Sequence, residues 1–503
     1  MAGKKSSIAA RPNAPLESVA FVSLGCPKNL VDSEKMLGLL AEDGIAITAD
    51  HHQADAIVIN TCGFLEASKT ESLQVIRDAV EQKRRAAKTG RGKRVIVAGC
   101  LVQRHRAALL DEIPEIDALV GVFDRENIVS AVRGSAATGP DADLGTFHPV
   151  STFISRHDRS KIGYTENDQT RLRLTPRHYA YLRISEGCNQ GCTFCTIPSI
   201  RGRMRSKPLP AILDEARELI ADGAFELNLI GQDTTSYGQD IEYNRAGEGL
   251  AGLIRTLNGV ADIGWIRLMY AYPSCFTDEM IGAIAYAGRM VKYIDMPLQH
   301  INDQILHAMR RKVTRKQIET LLKKLRDRIP GITIRTTLIS GFPGETESQH
   351  RELLDFVRDF EFDCLGVFEF SPEPGTPAGR LHTTQAVPPA DMAQRKGEIM
   401  AAQQQVVFAK NKRMIGRTLT VLVDQPARRK GTAMARHAGQ APDIDSRVLL
   451  RGSAAVAGEV LPVVVEDWQD YDLIARPVPT AARAGTARRA GGQVSLPVLG
   501  LHR

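Results

Sequence analysis

Three short β-rich runs in the first hundred residues each end on a cysteine. VAFVSLGC closes at Cys26, DAIVINTC at Cys62 and KRVIVAGC at Cys100. Between them lie DSEKMLGLLAEDG, whose apolar spacing is helical and which stops at a glycine, and TESLQVIRDAVEQKRRAA, a second helix pattern. Strand–helix alternation of this kind predicts a parallel sheet with covering helices, a doubly wound α/β domain over about 17–135. Ligands of such open sheets collect at the carboxyl ends of the strands, so cysteines at three equivalent ends are expected to converge. One such cysteine would be ordinary core packing. Three in register point to a metal–sulfur centre in which one iron has no protein ligand.

A second pattern lies further on. EGCNQGCTFC carries Cys188, Cys192 and Cys195 in a CxxxCxxC run directly after a predicted strand. Three thiolates so close can hold three irons of a four-iron, four-sulfur cluster and leave the fourth open to a small molecule. Structural zinc is the rival, since a distant His or Cys could supply a fourth ligand. Cys275 and Cys364 fit neither trio and are read as small buried hydrophobes.

The chain of 503 residues is 43% hydrophobic and 24% charged, which excludes collagen, wholesale disorder and a small disulfide scaffold. Its net charge of +7 permits an RNA-rich partner without requiring one. No run approaches the roughly 18 apolar residues of a membrane span. The basic start, MAGKKSSIAARPNAPLES, lacks the apolar core of a secretory signal, and residues 1–16 read as a solvated tail. The expectation is a cytoplasmic protein with reduced thiols and no membrane partner.

Residues 136–178 are small, polar and charged, and read as a linker that is disordered in part. Alternation resumes over 179–409, with strand candidates at 180–185, 225–231, 265–270, 291–296, 333–340 and 364–370. Six strand–helix repeats without a seventh and eighth predict a partial TIM-type (β/α)6 barrel. Residues 410–476 are β-rich and punctuated by turns, as in a small all-β barrel, and 477–503 read as a disordered Ala/Gly/Pro/Arg tail.

With these motifs in hand, YLRISEGCNQGCTFCTIPSIRGR resembles the radical S-adenosylmethionine (SAM) signature of the methylthiotransferases. SLGCPKN, NTCGF and AGCL resemble that family's N-terminal cluster motifs, and the β-rich end resembles its TRAM domain. The resemblance covers about 17–476. Within the family, one branch modifies tRNA adenosine and more often has Gln-Met in place of Pro27 and Lys28; the other modifies a ribosomal protein. SLGCPKN, LIGQDTTSYG, MPLQHIND, GVFEFSPEPGTPA and QAPDIDSRV resemble the ribosomal-protein branch.

That resemblance implies a radical enzyme that inserts a methylthio group at the β-carbon of an aspartate in small-subunit ribosomal protein S-twelve. It implies two four-iron clusters, on Cys188, Cys192 and Cys195 and on Cys26, Cys62 and Cys100, together with SAM and an electron donor. No catalytic residue beyond the cluster ligands is demanded. Phe194 is expected near the adenine of SAM, Gln232 and Asp233 near its polar groups, and Arg335 on its carboxylate. The glycine-rich GFPGE turn (341–345) is a weaker candidate. His300 reads as a satisfied core histidine, and His51 and His52 as a surface loop. The first part of the C-terminal barrel, 410–436, has eight basic residues and one acid, and could meet RNA phosphates. Its later half carries Asp443, Asp445, Glu466, Asp467, Asp470 and Asp472, an acidity suited to a basic ribosomal protein. The alternatives are the same chemistry on tRNA adenosine, and a non-catalytic, zinc-stabilised RNA-binding protein.

Overall fold

The computed structural model describes residues 16–134, 151–155, 167–241, 249–427 and 431–479. Residues 1–15 and 480–503, which hold nearly all of the two expected tails, lie outside the described residues.

The N-terminal lobe is a parallel sheet of β1 (Ser18–Ser23), β2 (Ala46–Thr48), β3 (Ala56–Thr61), β4 (Arg94–Gly99), β5 (Ala118–Val120) and β6 (Ser151–Phe153), in the order β2-β1-β3-β4-β5-β6. Both faces are covered, so alternate residues of one strand enter different cores. Ile57 and Ile59 pack with Ile76 and Val80 of the helix Glu66–Lys88. Ala56 and Val58 pack with Met36 and Leu40 of the helix Pro27–Glu42. The helix after β1 thus covers one face and the helix after β3 the other. This places the topological switch point, where an open α/β sheet forms its crevice, between β1 and β3. Cys26 and Cys62 follow those two strands.

The central lobe begins with β7 (Tyr179–Arg183). After it come the two-residue strands β8 (Ser185–Glu186) and β9 (Arg205–Ser206), which pair antiparallel. Then follow β10 (Glu226–Ile230), β11 (Trp265–Leu268), β12 (Met290–Asp295), β13 (Thr333–Ser340) and β14 (Cys364–Glu369). The six long strands form one open parallel sheet in chain order. Alternation sorts them. Leu182, Leu227, Leu268 and Ile334 turn outward to the covering helices. Tyr181, Asn228, Arg267 and Arg335, one residue along, occupy the concave side.

The C-terminal lobe is a closed five-stranded barrel of β15 (Thr418–Gln425), β16 (Ala433–His437), β17 (Val448–Leu450), β18 (Val460–Gln469) and β19 (Asp472–Pro477). The helix Pro389–Met414 leads into it and continues past Lys410, so the expected boundary there falls inside a helix. Its last turns belong to the barrel: Phe408 packs on Trp468, and Asn411 donates to the Tyr471 carbonyl.

Two expectations are corrected here. The stretch read as a linker supplies the sixth strand of the first sheet, and 167–178 is pinned between lobes. Asp168, 2% exposed, accepts from Arg183 and Lys207, while Arg171 bridges Glu34 and Glu215. These polar residues look solvent-directed in sequence because their partners are far away along the chain.

The second correction concerns the C-terminal acids. The loop between β16 and β17 plugs the lower part of the concave face. Asp443 accepts from the Tyr179 hydroxyl, and Asp445 from the Tyr293 hydroxyl and Arg335. Arg436 bridges Glu226 and Asp424. Asp445 is therefore spent inside the chain rather than offered to a basic partner, while Asp443 meets the Tyr179 hydroxyl from an exposed position. Of the basic residues expected to face RNA, Arg436 is buried, Lys410 pairs with Asp363 and Arg413 with Glu361. Arg428, Arg429 and Lys430 lie outside the described residues.

Asp445→Ala strands the Arg335 guanidinium and the Tyr293 hydroxyl in a buried junction. Removing one partner of a buried pair costs about 3 kcal/mol. Urea unfolding or calorimetry is expected to show the C-terminal barrel melting before the central lobe; an unaltered single transition would show that the plug does not hold it.

Candidate functional site

The three N-terminal cysteines meet where the loops after β1, β3 and β4 cross. Cys26 is the N-cap of the helix Pro27–Glu42, whose first turn is pre-set by Pro27. Cys100 opens the short helix Cys100–His105. Glycines let the loops touch. A Cβ on Gly25, whose φ is +89°, would lie 2.8 Å from the Cys62 Cβ, and one on Gly63 would lie 2.8 Å from the Leu101 Cα. Asparagines fasten the crossing: Asn29 donates to the Leu24 carbonyl at 2.6 Å, and Asn60 to the Asn29 carbonyl at 2.8 Å. Burial pushes the Cys100 thiol up to about 12, with Cys26 and Cys62 adding to the rise. Burial likewise raises Cys62, and Cys26 adds to it.

The second trio lies in the loop after β8. Asp233, buried after β10, holds that loop: it accepts from Gln190 at 2.6 Å and from Ser236 at 2.6 Å. The loop is also pinned by Thr193, whose N–H donates to the Met309 carbonyl and whose own carbonyl accepts from Ala378. Donors surround the sulfurs. Backbone N–H groups of Gln190 and Ile197 point at Cys188 and Cys195 at 3.5 and 3.4 Å. Arg311 donates to Cys192 at 3.5 Å, and the Tyr272 hydroxyl stands 3.9 Å from it. Burial pushes the Cys188 and Cys195 thiols up to about 11 and about 12. Thiols so buried become thiolates when a cation supplies the compensating charge.

The two trios face one junction, and Arg201 spans it. The short helix Ile197–Arg201 follows Cys195, and its last residue donates to Cys100 Sγ of the other trio at 3.2 Å. The same guanidinium pairs with Asp32 at 2.9 Å and Glu186 at 3.0 Å. Around it lies a buried ion network of Arg125, Arg171, Arg183, Arg201 and Lys207 with Asp32, Glu34, Asp168, Glu186 and Glu215. Burial alone would raise the Asp32 and Asp168 carboxyls, but the surrounding arginines, and for Asp168 also Lys207, outweigh it and hold both below the usual range. A second strut sits on the far side: Arg104 pairs with Glu373 at 2.7 Å and donates to the Gly63 carbonyl.

The other expected site residues sort as follows. Phe194 packs against the cluster containing Met309, Phe342 and Phe370, and so stands beside the GFPGE turn. Gln232 donates to Glu186 at 2.5 Å, and its Oε1 is buried with no hydrogen-bond partner among the described residues. Asp233 organises the cysteine loop, its carboxylate already occupied. Arg335 is committed elsewhere: Asp295 at 2.8 Å and Asp445 at 3.3 Å take its guanidinium, making it a strut to the C-terminal barrel in place of the cofactor contact expected. His300 is buried, its pKa lowered to about 3 by burial; its Nδ1 accepts from the Asn302 N–H, but its Nε2 has no hydrogen-bond partner among the described residues, so this core histidine is only half satisfied. His51 and His52 lie in a surface loop. Cys275 and Cys364 are not plain hydrophobes: Cys275 lies 3.3 Å from the Ser236 hydroxyl, and the Cys364 thiol is pushed up by burial and then by the nearby Asp445 carboxylate. Sequence reasoning missed Arg201, Lys28, Tyr270, Tyr272 and Arg311. The signal for the first four was position, since they flank a cysteine motif or a strand end; Arg311, in the turn after the helix Asp303–Ala308, carried none.

Among the described residues no group of three or more His, Cys, Asp or Glu closes on one point as a single metal ion requires. A four-iron group takes one thiolate per iron and asks for a wider spread. Sulfur-directed donors, trios without a fourth side chain and the orphaned Gln232 Oε1 fit such a group with a small molecule beside it.

The chain matches the uncharacterized protein family UPF0004 over residues 18–121, the radical SAM superfamily over 182–357 and the TRAM domain over 415–478. A solved radical SAM methyltransferase, TsrM from Kitasatospora setae, superposes with a TM-score of 0.50 at 17% identity, over 72% of this chain and 74% of that one, which is a likeness of fold. Fold and matches together define a radical SAM enzyme with a TRAM barrel, a class that uses SAM and a four-iron cluster.

Relatives narrow the class. "Ribosomal protein uS12 methylthiotransferase RimO" from Anaeromyxobacter sp. (strain K) is 43% identical over 93% of this chain and 97% of its own length. The proteins of that name from Bdellovibrio bacteriovorus and Geobacter sulfurreducens are 41% and 42% identical over 91% of this chain, and over 97% and 98% of their own lengths. The chain belongs to the RimO family of methylthiotransferases.

Two outcomes follow from the geometry. Gly25→Ala forces a Cβ onto Cys62, and anaerobic reconstitution is expected to retain fewer irons per chain than the natural sequence does, counted by iron and sulfide assay. Arg201→Leu leaves Asp32 and Glu186 short of a partner and is expected to destabilise the junction by about 3 kcal/mol in chemical denaturation.

Proposed function

We infer that this chain inserts a methylthio group at the β-carbon of an aspartate in ribosomal protein S-twelve (uS12), using SAM and two four-iron clusters. The observation that supports this most is the pairing of two cysteine trios across one junction, each without a fourth ligand among the described residues, with Arg201 reaching from one to the other. When bound at Cys188, Cys192 and Cys195, and at Cys26, Cys62 and Cys100, the two clusters would supply reductive SAM cleavage on one side of the junction and a sulfur source on the other.

The chain's own residues then hold, orient and exclude water. Gln190, held by Asp233, fixes the 188–195 loop. Tyr272 and Arg311 steady Cys192, the Arg311 guanidinium lying 4.1 Å from the Tyr272 ring. Phe194 and the orphaned Gln232 Oε1 are the proposed contacts for the apolar and polar parts of SAM. A target C–H bond at the aspartate β-carbon cannot be ionised by any side chain here, so positioning and dryness are what the protein contributes. On this reading the reaction takes place in the cytoplasm, where its ribosomal-protein substrate is made. Among the described residues no helix is long and apolar enough to cross a membrane.

The test is an anaerobic incubation of reconstituted full-length protein with SAM, a reductant, and either a uS12 peptide or tRNA. The peptide is expected to gain the mass of a methyl group plus sulfur; modification of tRNA alone would overturn the reading. Cys192→Ala is expected to abolish formation of 5′-deoxyadenosine. Cys62→Ala is expected to retain it and lose sulfur insertion, both followed by mass spectrometry.

A further inference from the structure

Lys28 is a buried amine in the wrong place for stability. It is the second residue of the helix Pro27–Glu42, where the positive end of the helix dipole opposes a cation. It is 7% exposed, and among the described residues no carboxylate pairs with it. Its neighbour is Tyr270, over whose ring the ammonium stands 3.2 Å from the centroid. Tyr270 is itself strained: its φ of +59° is a left-handed conformation for a bulky residue, fixed by its N–H donating to Asp295 at 3.1 Å. Such departures are held in place only when the surroundings over-determine them, and they gather at functional sites.

The position is informative. Tyr270 and Tyr272 both follow β11 at the carboxyl end of the sheet. Tyr272 reaches Cys192 of one trio, while Tyr270 carries Lys28 beside Cys26 of the other. The ammonium therefore lies at the junction of the two trios, on the Cys26 side, against a partly exposed tyrosine. On the methylthiotransferase reading, the substrate's reacting carbon meets both trios in this same region.

We propose that Lys28 is the specificity residue that binds the carboxylate of the target aspartate. The inference rests on the methylthiotransferase reading above and deepens it. A charge-assisted hydrogen bond from Lys28 to the carboxylate fixes the adjacent β-carbon relative to both trios. The same ammonium selects. An asparagine at the target brings no negative charge, and an adenine base likewise leaves a buried cation uncompensated, which is a cost levied on wrong substrates. The Tyr270 face holds the ammonium in position while the site is empty.

The experiment uses reconstituted full-length protein and two fluorescent uS12 peptides that differ only in Asp or Asn at the target position. Dissociation constants are measured by anisotropy for the natural chain, Lys28→Met and Lys28→Arg. Iron per chain is counted in parallel. The natural chain is expected to prefer the Asp peptide by about 10- to 100-fold, the span of a hydrogen bond between charged groups. Lys28→Met is expected to bring that ratio near one with iron retained, and Lys28→Arg to recover part of it. An unchanged ratio in Lys28→Met overturns the proposal. So does loss of about half the iron in both variants, which would assign the charge to the metal centre, or weakened SAM binding with the peptide ratio intact. If the natural chain methylthiolates tRNA and no peptide, the substrate reading itself falls, a result separate from any behaviour of the Lys28 variants.

Discussion

The buried ion network at the junction of the two α/β lobes is the constraint on which the site depends. Asp32 comes from the helix after the first strand, Arg183 and Glu186 from the start of the central sheet, Arg201 from the helix behind the second cysteine trio, and Asp168 from the segment between lobes. An apolar interface of the same size could slide by an ångström at little cost. Charges taken out of water cannot, because each displaced partner leaves an uncompensated ion. The network thus fixes the distance and angle between two cysteine trios that belong to different sheets. Its charges balance, five basic side chains against five carboxylates, so burial is tolerated.

The concave face of the central sheet is filled from both ends. The N-terminal helix contributes Leu30 and Val31 above, and the C-terminal barrel contributes Ala441 below, both packing on Tyr179, Tyr181 and Tyr293. An open six-stranded barrel would otherwise expose this aromatic layer to water. The plug explains why the loop between β16 and β17 carries acids: Asp443 and Asp445 complete hydrogen bonds for buried tyrosines and Arg335.

Much of the architecture was legible because period and punctuation are local. Each expected strand is present within a few residues, and the cysteines close them as read, at strand ends next to glycine. The helix Pro27–Glu42 shows where local reading stops. Asp32, Glu34 and Lys35 look like a solvated face, yet all three are buried. Nothing within the helix says that a second lobe and a connecting segment will cover that face. Arg335 misled for the same reason, since its position after a strand start suited a cofactor contact and only the fold supplied Asp295 and Asp445.

By itself, the sequence determined the kinds of groups present: two sets of three thiols, alternating strands and helices, and a β-rich end. These follow from side-chain chemistry and from the periods of strand and helix, which need no distant contact. The tertiary structure decided how the groups meet. It set Arg201 of one lobe against Cys100 of the other, stood Lys28 on Tyr270, and turned a charged connecting stretch into an interior strut. Those pairings join residues up to hundreds of positions apart. Their energies come from burial and charge compensation, which exist only once the lobes have closed on each other.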